Sequence, residues 1–538
     1  MAGRVNMTKE RLFLFDTTLR DGAQTAGIEF SVEDKITIAK LLDNMGIDYV
    51  EGGYPGANMV DTEFFSKKRT KNATFTAFGM TKRTGRSVGN DPGLQGLLQS
   101  EAEAICFVAK AWDRQIKLAM GISLDENLQS IDASVRASVK TGRETIVDCE
   151  HFFDGYKSNP EYALNCAKSA FDAGARWVVL CDTNGGTMPS EIHDIVLAVK
   201  DVVPGANLGI HAHNDTEQAV ANTLAAVRAG VRHVQGTLNG IGERCGNANL
   251  ISLIPTLMLK EPFASAIEIG ISTDQLQGLT NVSRGFDELL NRAPARQSPY
   301  VGASAFATKA GIHASALQKD PSCYEHIEPE IVGNQRNVMV SQQAGKSNLL
   351  TVLARFGIQV EKNDPRLDGL LHTVKEREAR GYSYDGADAS FALLARKTLG
   401  QVPEYFRVES FRTSVERRFN ARGEMVTMSE AVVKLEVDGE ILMSVAEGNG
   451  PVNALDLAMR KDLGKYSDRI DDLELVDFKV RILNGGTGAV TRVLVESRDK
   501  SGERWFTVGV SANIIDASFE ALYESVTYKL LKTEPEKG

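Results

Sequence analysis

The chain has 538 residues, 42% of them hydrophobic and 25% charged, and a formal net charge of −10. That length holds two or three domains, and the acidic balance excludes a nucleic-acid binder that works by neutralising phosphates. No run of about eighteen apolar residues occurs, so no membrane-spanning helix is expected.

Lys9, Glu10 and Arg11 interrupt the N-terminal stretch before an apolar core develops, so a signal peptide is not expected there. The six cysteines (Cys106, Cys149, Cys166, Cys181, Cys245 and Cys323) show no CxxC spacing and read as reduced thiols of a cytoplasmic protein.

Strands are predicted at 12–16, 47–51, 73–79, 104–109, 144–149, 177–181, 208–213 and 233–237. Amphipathic helical patterns at 32–45, 127–140, 161–173, 189–202 and 217–229 lie between them. Ser31 and Asp215 are expected to open helices, and Gly46, Gly174 and Gly230 to close them. Eight strand–helix units over about 250 residues have the rhythm of an α/β (β/α)8 TIM barrel. An open doubly wound sheet is the alternative, but no GxGxxG follows the first strand.

Polar residues collect at the predicted strand ends, where such a barrel carries its chemistry. Asp16, Arg20 and Asp21 follow the first strand, and Glu51 and Gly52 end the second. Glu150 and His151 end the fifth, Asp182, Thr183 and Asn184 the sixth, His211 and His213 the seventh, and Asn239 the eighth. His211 and His213 stand two apart in a strand, so their side chains share one face. Two neutral imidazoles with the carboxylate of Asp21 make a two-His, one-carboxylate set for Mg2+, Mn2+, Co2+, Fe2+ or Zn2+. The loop NGIGERCGN, residues 239–247, lets backbone approach a ligand at Gly240, Gly242 and Gly246. Asn247 can offer an amide oxygen to the metal, and Glu243 and Arg244 are expected to pair.

Residues 281–400 read as a mainly helical linker region, and 401–538 as an α+β domain built from a duplicated βββα unit. Strands predicted at 406–416, 430–437 and 441–447 precede a helix at 452–462; the order repeats at 475–483, 489–497, 505–510 and 514–531. GNGPVNA opens the first helix with glycines and Pro451, and its backbone N–H groups could take a carboxylate. NGGTGA is the second glycine-rich loop. The positions that could take such a ligand are Gly448, Gly450, Asn453, Gly485 and Gly486, the alternative being a dimerisation domain without a ligand.

DTTLRDGAQ, HAHND and NGIGERCGNAN, in this order, resemble the DRE-TIM metallolyase family, which includes the 2-isopropylmalate, homocitrate and citramalate synthases. The resemblance spans essentially the whole chain; DTTLRDGAQTAGIEFSVEDK and YVEGGYPGAN are most similar to the long bacterial citramalate synthases. It implies an acyltransferase that condenses acetyl-CoA with pyruvate, or alternatively with 2-oxoisovalerate as in 2-isopropylmalate synthesis. It implies a divalent metal held by Asp21, His211, His213 and Asn247. Arg20 would sit over the substrate carbonyl, Thr183 would bind the oxo-acid carboxylate, and Gln24 and Glu150 would complete the pocket. His313 of AGIHA would act from a neighbouring subunit together with Tyr324 and Glu150, which implies at least a homodimer. The C-terminal repeat resembles the leucine- or isoleucine-binding regulatory domain, with isoleucine the expected effector.

Overall fold

The computed structural model describes residues 9–67, 70–290, 292, 294–308, 313, 316–317, 319–338, 349–350, 353–354, 356–361, 363–384, 387–483 and 489–533. It divides into two compact units, Met1–Phe306 with Ile327–Arg336, and Ala307–His326 with Asn337–Gly538.

The first unit is a closed, all-parallel eight-stranded barrel. Its strands are β1 (Phe13–Asp16), β2 (Tyr49–Gly53), β3 (Thr74–Met80), β4 (Ala104–Lys110), β5 (Glu144–Glu150), β6 (Trp177–Asp182), β7 (Leu208–Ala212) and β8 (His233–Gly236). All eight lie where the apolar runs predict them, shifted by a residue or two. Barrel strands are covered on both faces, so their sequences are apolar on both. Phe15, Tyr49, Cys106, Ile146, Trp177 and Val179 pack inside, while Leu14, Val50, Ile105 and Val178 join the layer beneath the helices.

Helix Val32–Met45 opens on Ser31 through a reciprocal capping box with Asp34 and closes on left-handed Gly46. Asp215 opens no helix, contrary to its expected role. Helix Ala219–Ala229 begins after Gln218, and the Ala219 N–H is taken by the Asn214 side chain at 3.2 Å. Asp215 instead receives a two-pronged contact from Arg244, at 2.8 and 2.9 Å.

The second unit contains the repeat. Strands β9 (Arg407–Phe419), β10 (Met425–Val437) and β11 (Glu440–Gly448) form one antiparallel sheet, followed by helix Pro451–Lys461. Strands β12 (Glu474–Ile482), β13 (Thr491–Arg498) and β14 (Arg504–Ser511) form the other, followed by helix Ile514–Lys532. Ala431, Val433 and Leu435 of β10 are buried in a core with Ala454, Leu455 and Ala458 of the first helix. Val415, Phe419, Ile441, Met443 and Ile482 remain exposed.

Helix Ile514–Lys532 carries a buried acid, Glu524. Burial pushes its carboxyl up to about 7, while Ser390, Lys397 and Arg377 offset only part of that rise. Its ordinary value is 4.5, so between that pH and about 7 the folded chain holds a proton that the unfolded chain has lost. Stability therefore falls as pH rises through that window. Glu524→Gln is expected to stabilise the fold at pH above about 7, by at most about 3 kcal/mol, and to change little below about pH 4. Thermal unfolding at both pH values checks this.

Candidate metal and substrate site

The site begins in the turn after β1. The Asp16 carboxylate accepts the Thr18 N–H and hydroxyl, both at 2.8 Å. The Thr17 carbonyl accepts the N–H groups of Arg20, Asp21 and Gly22 at 3.2, 2.8 and 3.1 Å. This winding presents Arg20 and Asp21 together at the C-terminal mouth of the barrel.

Asp21 Oδ2 lies 3.6 Å from His211 Nε2 and 4.0 Å from His213 Nε2, and the two Nε2 atoms face each other at 3.2 Å. Asn247 stands opposite His213 through an antiparallel bridge. Its loop depends on glycine: a side chain at Gly246, where φ is +91°, would place Cβ 1.9 Å from the Gly240 carbonyl oxygen.

The Asn247 amide oxygen, like His213 Nδ1, is buried without a hydrogen-bond partner among the described residues. Each such atom costs about 1–3 kcal/mol unless something binds it. A buried group of oxygen and imidazole lone pairs pointing at one another fits a divalent cation. Burial, helped by the neighbouring His211, lowers the His213 imidazole to about 3, which leaves it neutral and able to ligate. Burial works to raise the Asp21 carboxyl, but Arg20, His211 and His213 override it and hold it well below the usual carboxylate range.

Arg20 is clamped on three sides. Its Nε donates to Glu51 Oε2 at 2.7 Å, its Nη1 donates to Asp21 Oδ2 at 2.9 Å, and its guanidinium carbon lies 4.1 Å from the centre of the Phe78 ring. Burial opposes this charge, but Glu51 and Asp21 more than compensate and raise its pKa further. Glu51, which the sequence marks only as a strand-end acid, is thus the counter-charge of Arg20. Phe78 carried no sequence signal beyond an apolar strand position.

The other predicted residues lie as follows. Thr183 Oγ1, after β6, accepts the His151 N–H at 2.8 Å, with His151 in the left-handed region at φ 56°. Glu150, at the end of β5, is ion-paired to Lys110 at the end of β4. Gln24 closes the short turn Gly22–Gln24 and is exposed. Glu243 meets Arg244 at 3.4 Å, although Asp215 takes that guanidinium more closely. His313 and Tyr324 belong to the second unit, with ring centroids 4.4 Å apart. Gly448, Gly450 and Asn453 gather where helix Pro451–Lys461 begins, and the Asn453 side chain accepts the Asn449 N–H at 3.1 Å. Gly485 and Gly486 lie outside the described residues.

Comparison with known proteins places this geometry in context. Residues 11–282 match the HMGL-like family, 300–381 the homocitrate synthase post-HMGL domain-like family, and 385–530 the LeuA allosteric (dimerisation) domain. An (R)-citramalate synthase of Aquifex aeolicus is 48% identical over 98% of this chain and 99% of its own. One from Geobacter sulfurreducens is 48% identical over 98% of both. A probable 2-isopropylmalate synthase of Methanopyrus kandleri is 30% identical over 96% of this chain and 98% of its own. With its barrel matched and nearly half of its positions shared with the two (R)-citramalate synthases over 98% of its length, the chain belongs to the HMGL-like family, in the group of the (R)-citramalate synthases.

Proposed function

We propose that the chain condenses acetyl-CoA with pyruvate to give (R)-citramalate and CoA, with Arg20 as the group that meets the developing oxyanion. The observation that carries this is the Arg20–Asp21–His211–His213 cluster in a chain 42–48% identical to five (R)-citramalate synthases over nearly its whole length.

Asp21, His211, His213 and Asn247 are the residues that would hold the metal. A divalent cation bound there supplies Lewis-acid polarisation of the ketone. Arg20, held by Glu51, donates to the ketone oxygen as it gains charge, and costs no reorganisation because it is already clamped. Thr183 hydrogen-bonds the oxo-acid carboxylate. A base drawn from Glu150 with His313 and Tyr324 of the partner subunit takes a proton from the acetyl methyl; the enolate carbon forms the new bond to the ketone carbon, and the carbonyl pair moves to oxygen, which takes up a proton. Water then cleaves the thioester and releases CoA.

We assign residues 1–280 to catalysis, 281–400 to the linker and 401–538 to regulation. The exposed Val415, Phe419, Ile441, Met443 and Ile482 are the surface we assign to homodimerisation. Isoleucine, the end product expected downstream of citramalate, is the proposed effector at Gly448, Gly450 and Asn453. Release of CoA, followed with a thiol reagent, tests the catalytic reading with pyruvate, 2-oxobutyrate, 2-oxoisovalerate and 2-oxoglutarate. Fast release with pyruvate, lost to a chelator and restored by Mg2+ or Mn2+, is expected. Preference for 2-oxoisovalerate would move the chain to 2-isopropylmalate synthesis.

A further inference from the structure

Beneath the metal ligands lies a buried chain of hydrogen bonds that the catalytic reading does not use. His211 Nδ1 is 2.8 Å from Gln235 Oε1, and Gln235 Nε2 donates to Asp148 Oδ1 at 2.9 Å. His211, Gln235 and Asp148 come from β7, β8 and β5, and all are buried. His213 differs, because its Nδ1 has no partner among the described residues.

We infer that Gln235 is a positioning residue that locks the His211 ring and its tautomer for the metal, and that Asp148 is the anchor dictating which way round the Gln235 amide lies. This rests on the metal reading above. A carboxylate only accepts hydrogen bonds, so Asp148 must meet the amide NH2. The amide oxygen is thereby turned to the imidazole, and Nδ1 must carry the ring proton. The neutral ring then keeps its lone pair on Nε2, the atom that faces Asp21 and His213. An inverted amide would press an N–H against Nδ1, move the proton to Nε2 and aim an N–H at the cation. Glutamate at position 235 would accept from Nδ1 equally well, but would set a second carboxylate against buried Asp148, beside which Glu51 already lies.

The test measures Mn2+ affinity from the electron paramagnetic resonance of the free ion, on wild type, Gln235→Leu and the polarity-exchanged pair Gln235→Glu with Asp148→Asn. In that pair the amide introduced at position 148 donates where Asp148 accepted, so the carboxylate introduced at position 235 is again an acceptor for Nδ1–H. Gln235→Leu is expected to bind Mn2+ roughly 10- to 100-fold more weakly, and the exchanged pair to regain affinity close to wild type. Wild-type affinity in Gln235→Leu, or an exchanged pair no better than Gln235→Leu, would overturn the inference while leaving the metal site intact. No Mn2+ binding by wild type would overturn the metal reading, and the inference with it. NMR of the histidine ring nitrogens in the metal-free wild type needs no variant at position 235. With His211 assigned by its loss in His211→Gln, the protonated nitrogen should be Nδ1; a proton on Nε2 would again overturn the inference.

Discussion

Arg20→Ala is expected to lower CoA release with pyruvate by roughly 100- to 1,000-fold, the loss typical of removing one donor from a developing oxyanion. The same substitution strips Glu51 of its counter-charge. Glu51 is fully buried, and its Oε1 already has no hydrogen-bond partner among the described residues. Breaking such a pair from one side costs about 3–5 kcal/mol, so stability should fall along with turnover. The two effects separate in the double variant Arg20→Ala with Glu51→Gln. Neutralising residue 51 should return much of the stability and none of the rate, as read by urea unfolding beside the thiol assay. Arg20→Lys should fall short as well, because an ammonium cannot span Glu51 and Asp21 with a planar fork while lying on Phe78. Turnover near wild type in Arg20→Ala would remove Arg20 from the mechanism.

A loss of stability of the same size is expected at Lys35. Its side chain is 5% exposed, and its ammonium donates to the carbonyls of Leu19 at 2.9 Å and Gly52 at 3.0 Å and pairs with Asp61. The other Asp61 oxygen accepts the Tyr54 N–H at 2.9 Å and the Asn58 side chain at 3.0 Å. One buried cation thus ties the turn bearing Arg20 and Asp21 to the end of β2 and to helix Met59–Phe65 beyond it. Lys35→Met keeps the length of the stem but leaves Asp61 and two carbonyls without their donor. A loss of about 3–5 kcal/mol is expected in urea unfolding followed by the fluorescence of the tryptophans, of which Trp177 lies in the barrel core. Pairing it with Asp61→Asn should recover part of the loss. Unchanged stability in Lys35→Met would mean that its three contacts are not formed in solution.

How far each feature was legible depends on how local its cause is. The eight strands were readable because burial on both faces writes continuous apolar runs into 13–16, 104–110 and 177–182. The Ser31 capping box was readable for a similar reason, since both partners lie within three residues. Asp215 misled because a polar residue before a helical pattern looks like a cap, while its actual partner, Arg244, is 29 residues away. The second βββα unit was visible as a repeat, since duplication preserves the spacing of its strands.

By itself, then, the sequence determined the alternation of strand and helix, the C-terminal repeat, and the pairing of His211 with His213 on one face. Each of these follows from backbone periodicity and neighbouring side chains. Only the tertiary structure decided that Glu51 would clamp Arg20, that Lys35 would brace the turn bearing Arg20 and Asp21, and that Gln235 would bridge His211 to Asp148. Those partners lie 31, 26 and 87 residues apart within the pairs Arg20–Glu51, Lys35–Asp61 and Gln235–Asp148. No local pattern records such contacts, because they exist only once the barrel has closed and polar groups excluded from water must find each other inside it.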